Sequence, residues 1–209
     1  MSQRYLASEY NIAKSCISPI VEWTTKVLVS KNNFSLPNKV DNINDKSEDR
    51  IIDATESKID RPKKKQKEWY SGKKKQHTIK TQIEIGVETL LIYSTRFSKG
   101  STHDFKLFKD SKVDYSKEST LFIDKGYMGI TKIHSKSIIP IKSSKKHELN
   151  ESEKWYNNEI SKIRIAVEHV NAFLKKFKIT STRFRNRRKK FKLFMSLICG
   201  IYNFETANL

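Results

Sequence analysis

Residues 77–88, HTIKTQIEIGVE, alternate strictly enough to place Ile79, Thr81, Ile83, Ile85 and Val87 on one face. A period of two is the period of a strand, and a half-buried strand must find a sheet. RIIDATES (50–57), TLLIYSTRF (89–97), STLFIDKGY (119–127) and SIIPIKS (137–143) are short apolar runs that supply neighbours, with Gly86 marking a bend rather than a two-residue hairpin turn. GSTHDFKLFKDSK opens like a capped short helix, and helical periodicity runs from Glu151 to Phe177. The basic segment that closes the chain ends in an apolar helix expected to pack on the core. Strands followed by helices predict an α/β or α+β domain in which helices cover a mixed sheet.

Residues 3–29 carry apolar residues at helical spacing, interrupted by NIAKS as a turn and N-cap, with Pro19 in the first turn of the second helix. Two short helices across a tight turn resemble the last two helices of a helix-turn-helix with its first helix missing; a helical hairpin packed on the main domain is the alternative. Residues 31–48, rich in Asn and Asp, read as a linker.

The charge balance points to a polyanionic partner. Lys and Arg number 42 against 23 Asp and Glu, and the surplus is concentrated in blocks such as RPKKKQKEWYSGKKK and RFRNRRKKFK. Such blocks favour nucleic acid first and an acidic membrane surface second. The two cysteines, Cys16 and Cys199, are far apart and form no CxxC, which argues against a disulfide framework or a structural zinc site. The N-terminus shows no apolar signal region, and no run approaches the roughly 18 apolar residues of a spanning helix. A reduced, cytoplasmic protein is expected, with no membrane partner.

Three acids end or interrupt apolar elements. Asp53 follows Ile51 and Ile52, and Asp124 follows Leu121, Phe122 and Ile123, so both are expected at strand ends. Glu168 lies mid-helix in RIAVEHVNAFLKKFK, on one face with Arg164 and Lys175, beside an expected buried stripe of Ile163, Val167, Val170 and Leu174. Phosphodiester chemistry can use such acids. Two Mg²⁺ ions activate the attacking oxygen and stabilise the leaving one, and Mg²⁺ prefers a few hard carboxylate oxygens. Read from spacing alone, the acids are equally open to an ordinary role, with Arg164 and Glu168 as a surface i,i+4 pair.

Taken together, IIDATESKIDRPKKKQKEWYSGKKKQHTIKTQ, GSTHDFKLFKDS, FIDKGYMGI and RIRIAVEHVNAFLKKFK resemble a DDE transposase of the bacterial IS5 insertion-sequence family, itself similar to Harbinger-type transposases. The R-x₃-E-x₆-K spacing of Arg164, Glu168 and Lys175 is a signature of that family's third acidic region. The resemblance covers roughly residues 50–206. It implies an RNase H-like fold, with a mixed central sheet flanked by helices. It implies the division 1–30 partial helix-turn-helix, 31–48 linker and 49–209 DDE catalytic domain. It also implies metal-dependent cleavage and strand transfer of DNA at terminal inverted repeats. Asp53, Asp124 and Glu168 are then the catalytic acids and the ligands of Mg²⁺ or Mn²⁺, two ions per site, and Gly126 lets the backbone turn away after Asp124. Asp104 is either a helix first-turn residue or a support of the metal site, and His103 is structural or orients a neighbour rather than ligating metal. Where related enzymes carry Tyr three residues before the arginine, this chain has Ser161.

On this reading Lys175, Arg164, Lys73, Lys74, Lys75, Arg183, Arg185, Arg187 and Arg188 contact DNA, with Phe184 anchoring the second basic block. Trp69 and Tyr70 either stack on an unpaired base or pack their loop. A homodimer on DNA and a bacterial, nucleoid-associated location follow. The rival readings are a catalytically silent DNA-binding remnant and an RNase H-like nuclease that cuts without joining.

Overall fold

The structure is a computed structural model that describes residues 3–30, 34, 36, 48–111, 113, 115–144 and 148–208. Apart from Phe34, Leu36 and Glu48, the linker expected at 31–48 lies outside the described residues. Two helices come first, α1 (Gln3–Glu9) and α2 (Lys14–Ser30). They pack on each other, and α2 lies on the last helix of the chain, where Lys190 pairs with Glu22. Pro19 is the sixth residue of α2 and not in its first turn, so its missing N–H removes one interior helix bond.

A six-stranded mixed sheet forms the centre. Its strands are β1 (Arg50–Lys58), β2 (Tyr70–Ser71), β3 (Gln76–Gly86), β4 (Ile92–Lys99), β5 (Leu121–Ile123) and β6 (Ser137–Ile138). β1 runs antiparallel to β3 and parallel to β5, and β5 is parallel to β6. β4 and the short β2 both pair with the far edge of β3, β4 along its length and β2 at its start. Three antiparallel strands followed by two parallel ones, with helices on the faces, are the RNase H-like arrangement the sequence predicted.

The helices after α2 are α3 (Gln66–Trp69), α4 (Asp104–Ser111), α5 (Glu151–Lys176), α6 (Lys178–Ser181) and α7 (Arg188–Ala207). α5 begins with a capping box: the Asn150 side chain accepts from the Glu153 backbone, and the Glu153 side chain accepts from the Asn150 backbone. It packs Val167, Val170 and Leu174 against one face of the sheet, where Ile51, Ile83, Phe122, Phe191 and Met195 complete a core, and Ile160 is buried as well. The other face carries a smaller core of Ile52, Leu121, Ile123, Phe108, Tyr127 and Ile130. Because both faces are covered, β3 does not leave its polar alternates in water. Lys80, Gln82 and Glu84 are buried, and they survive there because each has a polar partner. Among the described residues, no helix is long and apolar enough to cross a membrane.

Candidate active site

Asp53 is not at a strand end. β1 continues to Lys58, and Asp53 pairs with Ile83 of β3 in mid-strand. What ends there is the parallel partner: the β1–β5 pairing stops at Ile52 and Ile123, and Asp124 follows at once. The next step in that register sets Asp53 and Asp124 side by side. Both point toward the α5 face, in alternation with Ile52 and Ile123, which face the other core.

α5 meets this pair with two side chains one turn-pair apart. Arg164 reaches both acids, Nη1 lying 3.3 Å from Asp124 Oδ1 and Nη2 3.7 Å from Asp53 Oδ1. Asn171 donates Nδ2–H to Asp53 Oδ2 at 3.0 Å. Arg164 and Asn171 are seven residues apart, two helical turns, and so share the face that looks at β1. Two atoms of this cluster are buried without a partner among the described residues, Arg164 Nε and Asn171 Oδ1. Burial pushes the Asp53 carboxyl above its usual range and Asp124 adds to this, against the opposing pull of Arg164, the Ala54 backbone N–H and Asn171.

Glu168 is not gathered into this pair. It lies on α5 between Arg164 and Asn171, on the margin of their face, with its side chain exposed. Among the described residues no group of three His, Cys, Asp or Glu side chains converges on one point. The residues do fit a divalent cation in chemistry: two carboxylates already share one positive charge, and the orphaned Asn171 oxygen is a further hard donor.

Asp104 is the first residue of α4, as the helix-start alternative has it, and Oδ1 accepts from Lys80 Nζ at 2.6 Å. Lys80 Nζ also donates to the Thr102 carbonyl at 2.6 Å and lies 3.9 Å from Glu56, so this buried amine makes two hydrogen bonds and faces two carboxylates. Asp104 nevertheless stands near the pair. Burial first, then the carboxylates of Asp104, Asp53 and Asp124, hold the Tyr127 hydroxyl protonated far above the ordinary phenol range. Gly126 matters here by size and not by a left-handed turn. Its φ is not positive, but a Cβ on it would lie 2.8 Å from Asp104 Oδ2. His103 is exposed and contributes its carbonyl to the first α4 bond, from Leu107 N–H at 3.0 Å.

The basic candidates lie elsewhere on the surface. Lys73, Lys74 and Lys75 form the exposed turn between β2 and β3, and Lys175 is exposed in the last turn of α5. Arg183, Arg185, Arg187 and Arg188 are exposed around Phe184, which is buried and bridges Ile59 at the end of β1. Trp69 packs against the main core with the Arg188 guanidinium 4.5 Å from its ring centre, whereas Tyr70 is exposed.

Residues 52–203 match the family of DDE superfamily endonucleases. The chain belongs to that family. The matched stretch of this DDE endonuclease domain contains Asp53, Asp124 and Glu168 and leaves α1 and α2 outside. Over 205 residues the chain is also 43% identical to a protein of Microchaete diplosiphon named "Probable transposase for insertion sequence element IS702", an alignment covering 97% of this chain and 74% of the relative. No solved structure matches it. Asn171 was missed by sequence reasoning. Its signal was its position seven residues after Arg164, on the face already assigned to chemistry.

Proposed function

We infer that this DDE-family chain is a transposase that cuts DNA at insertion-sequence ends and joins the freed 3′-hydroxyl to a target. The observation that carries this reading is the Asp53–Asp124 pair, set side by side by the β1–β5 register and bridged by one cation. Asp53, Asp124 and Glu168 would hold Mg²⁺ or Mn²⁺, two ions in the full site, which supply the Lewis acidity that activates the attacking oxygen and stabilises the leaving one. Asn171 fixes the orientation of Asp53 through its amide N–H. Arg164 neutralises the two aspartates when no metal does, and its guanidinium is suited to a phosphate once it is released. Glu168 joins by a side-chain rotation from its exposed position. Lys175 and the arginines around Phe184 bind the DNA backbone, the lysine as a point charge and the guanidiniums as forks, and two DNA ends cut in concert call for a homodimer.

The family match and the IS702 relative support the transposase class. The exposed Glu168 favours one second reading, a DNA-binding protein that does not cut. One assay separates the two: a labelled duplex carrying the flanking element end, incubated with Mg²⁺ or Mn²⁺ and a circular target. Metal-dependent nicking and joined product, both lost in Asp124→Asn, are expected. Binding without product from the wild type would favour the second reading, and nicking without joining a plain nuclease.

A further inference from the structure

A second feature is built into the far end of the strand that carries Asp53. There an open groove of about 580 Å³ has Arg61 and Lys63 on one wall and Arg185, Arg187, Arg188 and Lys189 on the other. Asp60 is the one carboxylate lining it, and it faces Arg183 at 3.9 Å. The two walls are held together by backbone: Ile59 bridges Phe184, Phe184 N–H donates to the Lys58 carbonyl at 2.8 Å, and the Phe184 ring is buried in the main core. The groove is therefore fastened to β1, which stays paired with β3 along its whole length from Arg50 to Lys58.

Asp53 and Ile59 are six residues apart, and both lie on the α5 face of the strand. At about 3.3 Å per residue, the carboxylates and the groove are held roughly 20 Å apart. Base pairs follow one another every ~3.4 Å along the DNA helix axis, so with β1 lying along that axis the interval is about six base pairs. Lys175 is exposed in the last turn of α5.

We propose that this groove clamps the DNA phosphate backbone about six base pairs along the duplex from the phosphate held at Asp53 and Asp124, with β1 as a ruler between grip and cut. The inference rests on the functional reading above. A guanidinium-rich groove fits phosphate better than protein acids, because its planar forks pair bidentately with phosphate oxygens. Arg61 and Lys63 thereby become DNA contacts that work with the downstream arginines on the same phosphates.

The test is phosphate-ethylation interference on the full chain bound to the element-end duplex, alongside mapping of the cut with Mn²⁺. Two double variants are compared, Arg61→Ala with Lys63→Ala and Arg185→Ala with Arg187→Ala. All four side chains are exposed, so the fold should survive. The expected result is interference centred about six base pairs from the cut along the duplex axis, removed by either pair, with the slope of log affinity against log salt reduced by roughly two in each. A wild type that cuts, with variants that keep its salt slope and interference pattern, would overturn the groove and leave the transposase reading standing. Interference confined to phosphates beside the cut would overturn the ruler. A wild type that binds but cuts nothing with Mn²⁺ would remove the functional reading and the spacing with it.

Discussion

Asp53 is a carboxylate that the fold makes costly to ionise. Its folded pKa is raised, so the penalty is complete above that raised value and disappears as pH falls toward the ordinary 3.8. Asp53→Asn is expected to raise the melting temperature of the metal-free protein at neutral pH while abolishing cleavage. Thermal melts across pH should show the gap between variant and wild type closing in acid. Asn171→Leu is similar in size and sits on a helix stabilised by other residues. It is expected to lower cleavage by about 10–100-fold, the usual cost of losing the group that orients a metal ligand. Circular dichroism should stay unchanged, and higher Mn²⁺ should restore part of the rate. Asp53 and Asp124 were legible as acids after apolar runs. Their adjacency came only from the family resemblance and not from the residue pattern, because it depends on a parallel register between segments about seventy residues apart.

At the scale of elements, Glu48 staples the entry of β1 to the β3–β4 connection. Its carboxylate pairs with Arg50 and accepts from the backbone of Glu88 and Thr89 and from the Tyr93 hydroxyl. Burial pushes the group up, but the Thr89 N–H, Tyr93 and Arg50 outweigh it and hold the pKa at about 2 instead of 4.5. With only 5% of the side chain exposed, solvent screening is small. The shift corresponds to stabilisation on the order of 3 kcal/mol, complete above about pH 4.5 and lost as pH falls through about 2. Glu48→Gln is expected to lower the urea midpoint at neutral pH by a similar energy, with the difference shrinking to nothing in strong acid. Local elements were largely readable: α5 was expected at 151–177 and spans Glu151–Lys176, since helical period and caps are written in adjacent residues. β1 was expected to stop at Asp53 because its later residues, Thr55 to Lys58, are polar. They remain in the strand because β3 supplies a partner to every one of them, Glu56 lying opposite Lys80 and accepting from Thr78.

Over the whole molecule, the formal charge of +19 is not spread evenly but gathered in the Lys73–Lys75 turn and the segment around Phe184. Association with DNA should therefore be fast and strongly weakened by salt, whatever the sequence bound. The charge blocks were plain in the sequence. Their distance from the carboxylates required knowing that Phe184 returns to the end of β1. The proposal that the Asp53–Asp124 pair holds the cation with which DNA is cut can be checked by Mn²⁺ binding to the DNA-bound chain, followed through the electron paramagnetic resonance signal of free Mn²⁺. Saturable binding is expected for the wild type and none for Asp53→Asn or Asp124→Asn, with DNA affinity retained in all three. Mn²⁺ binding that is the same in all three proteins would contradict it.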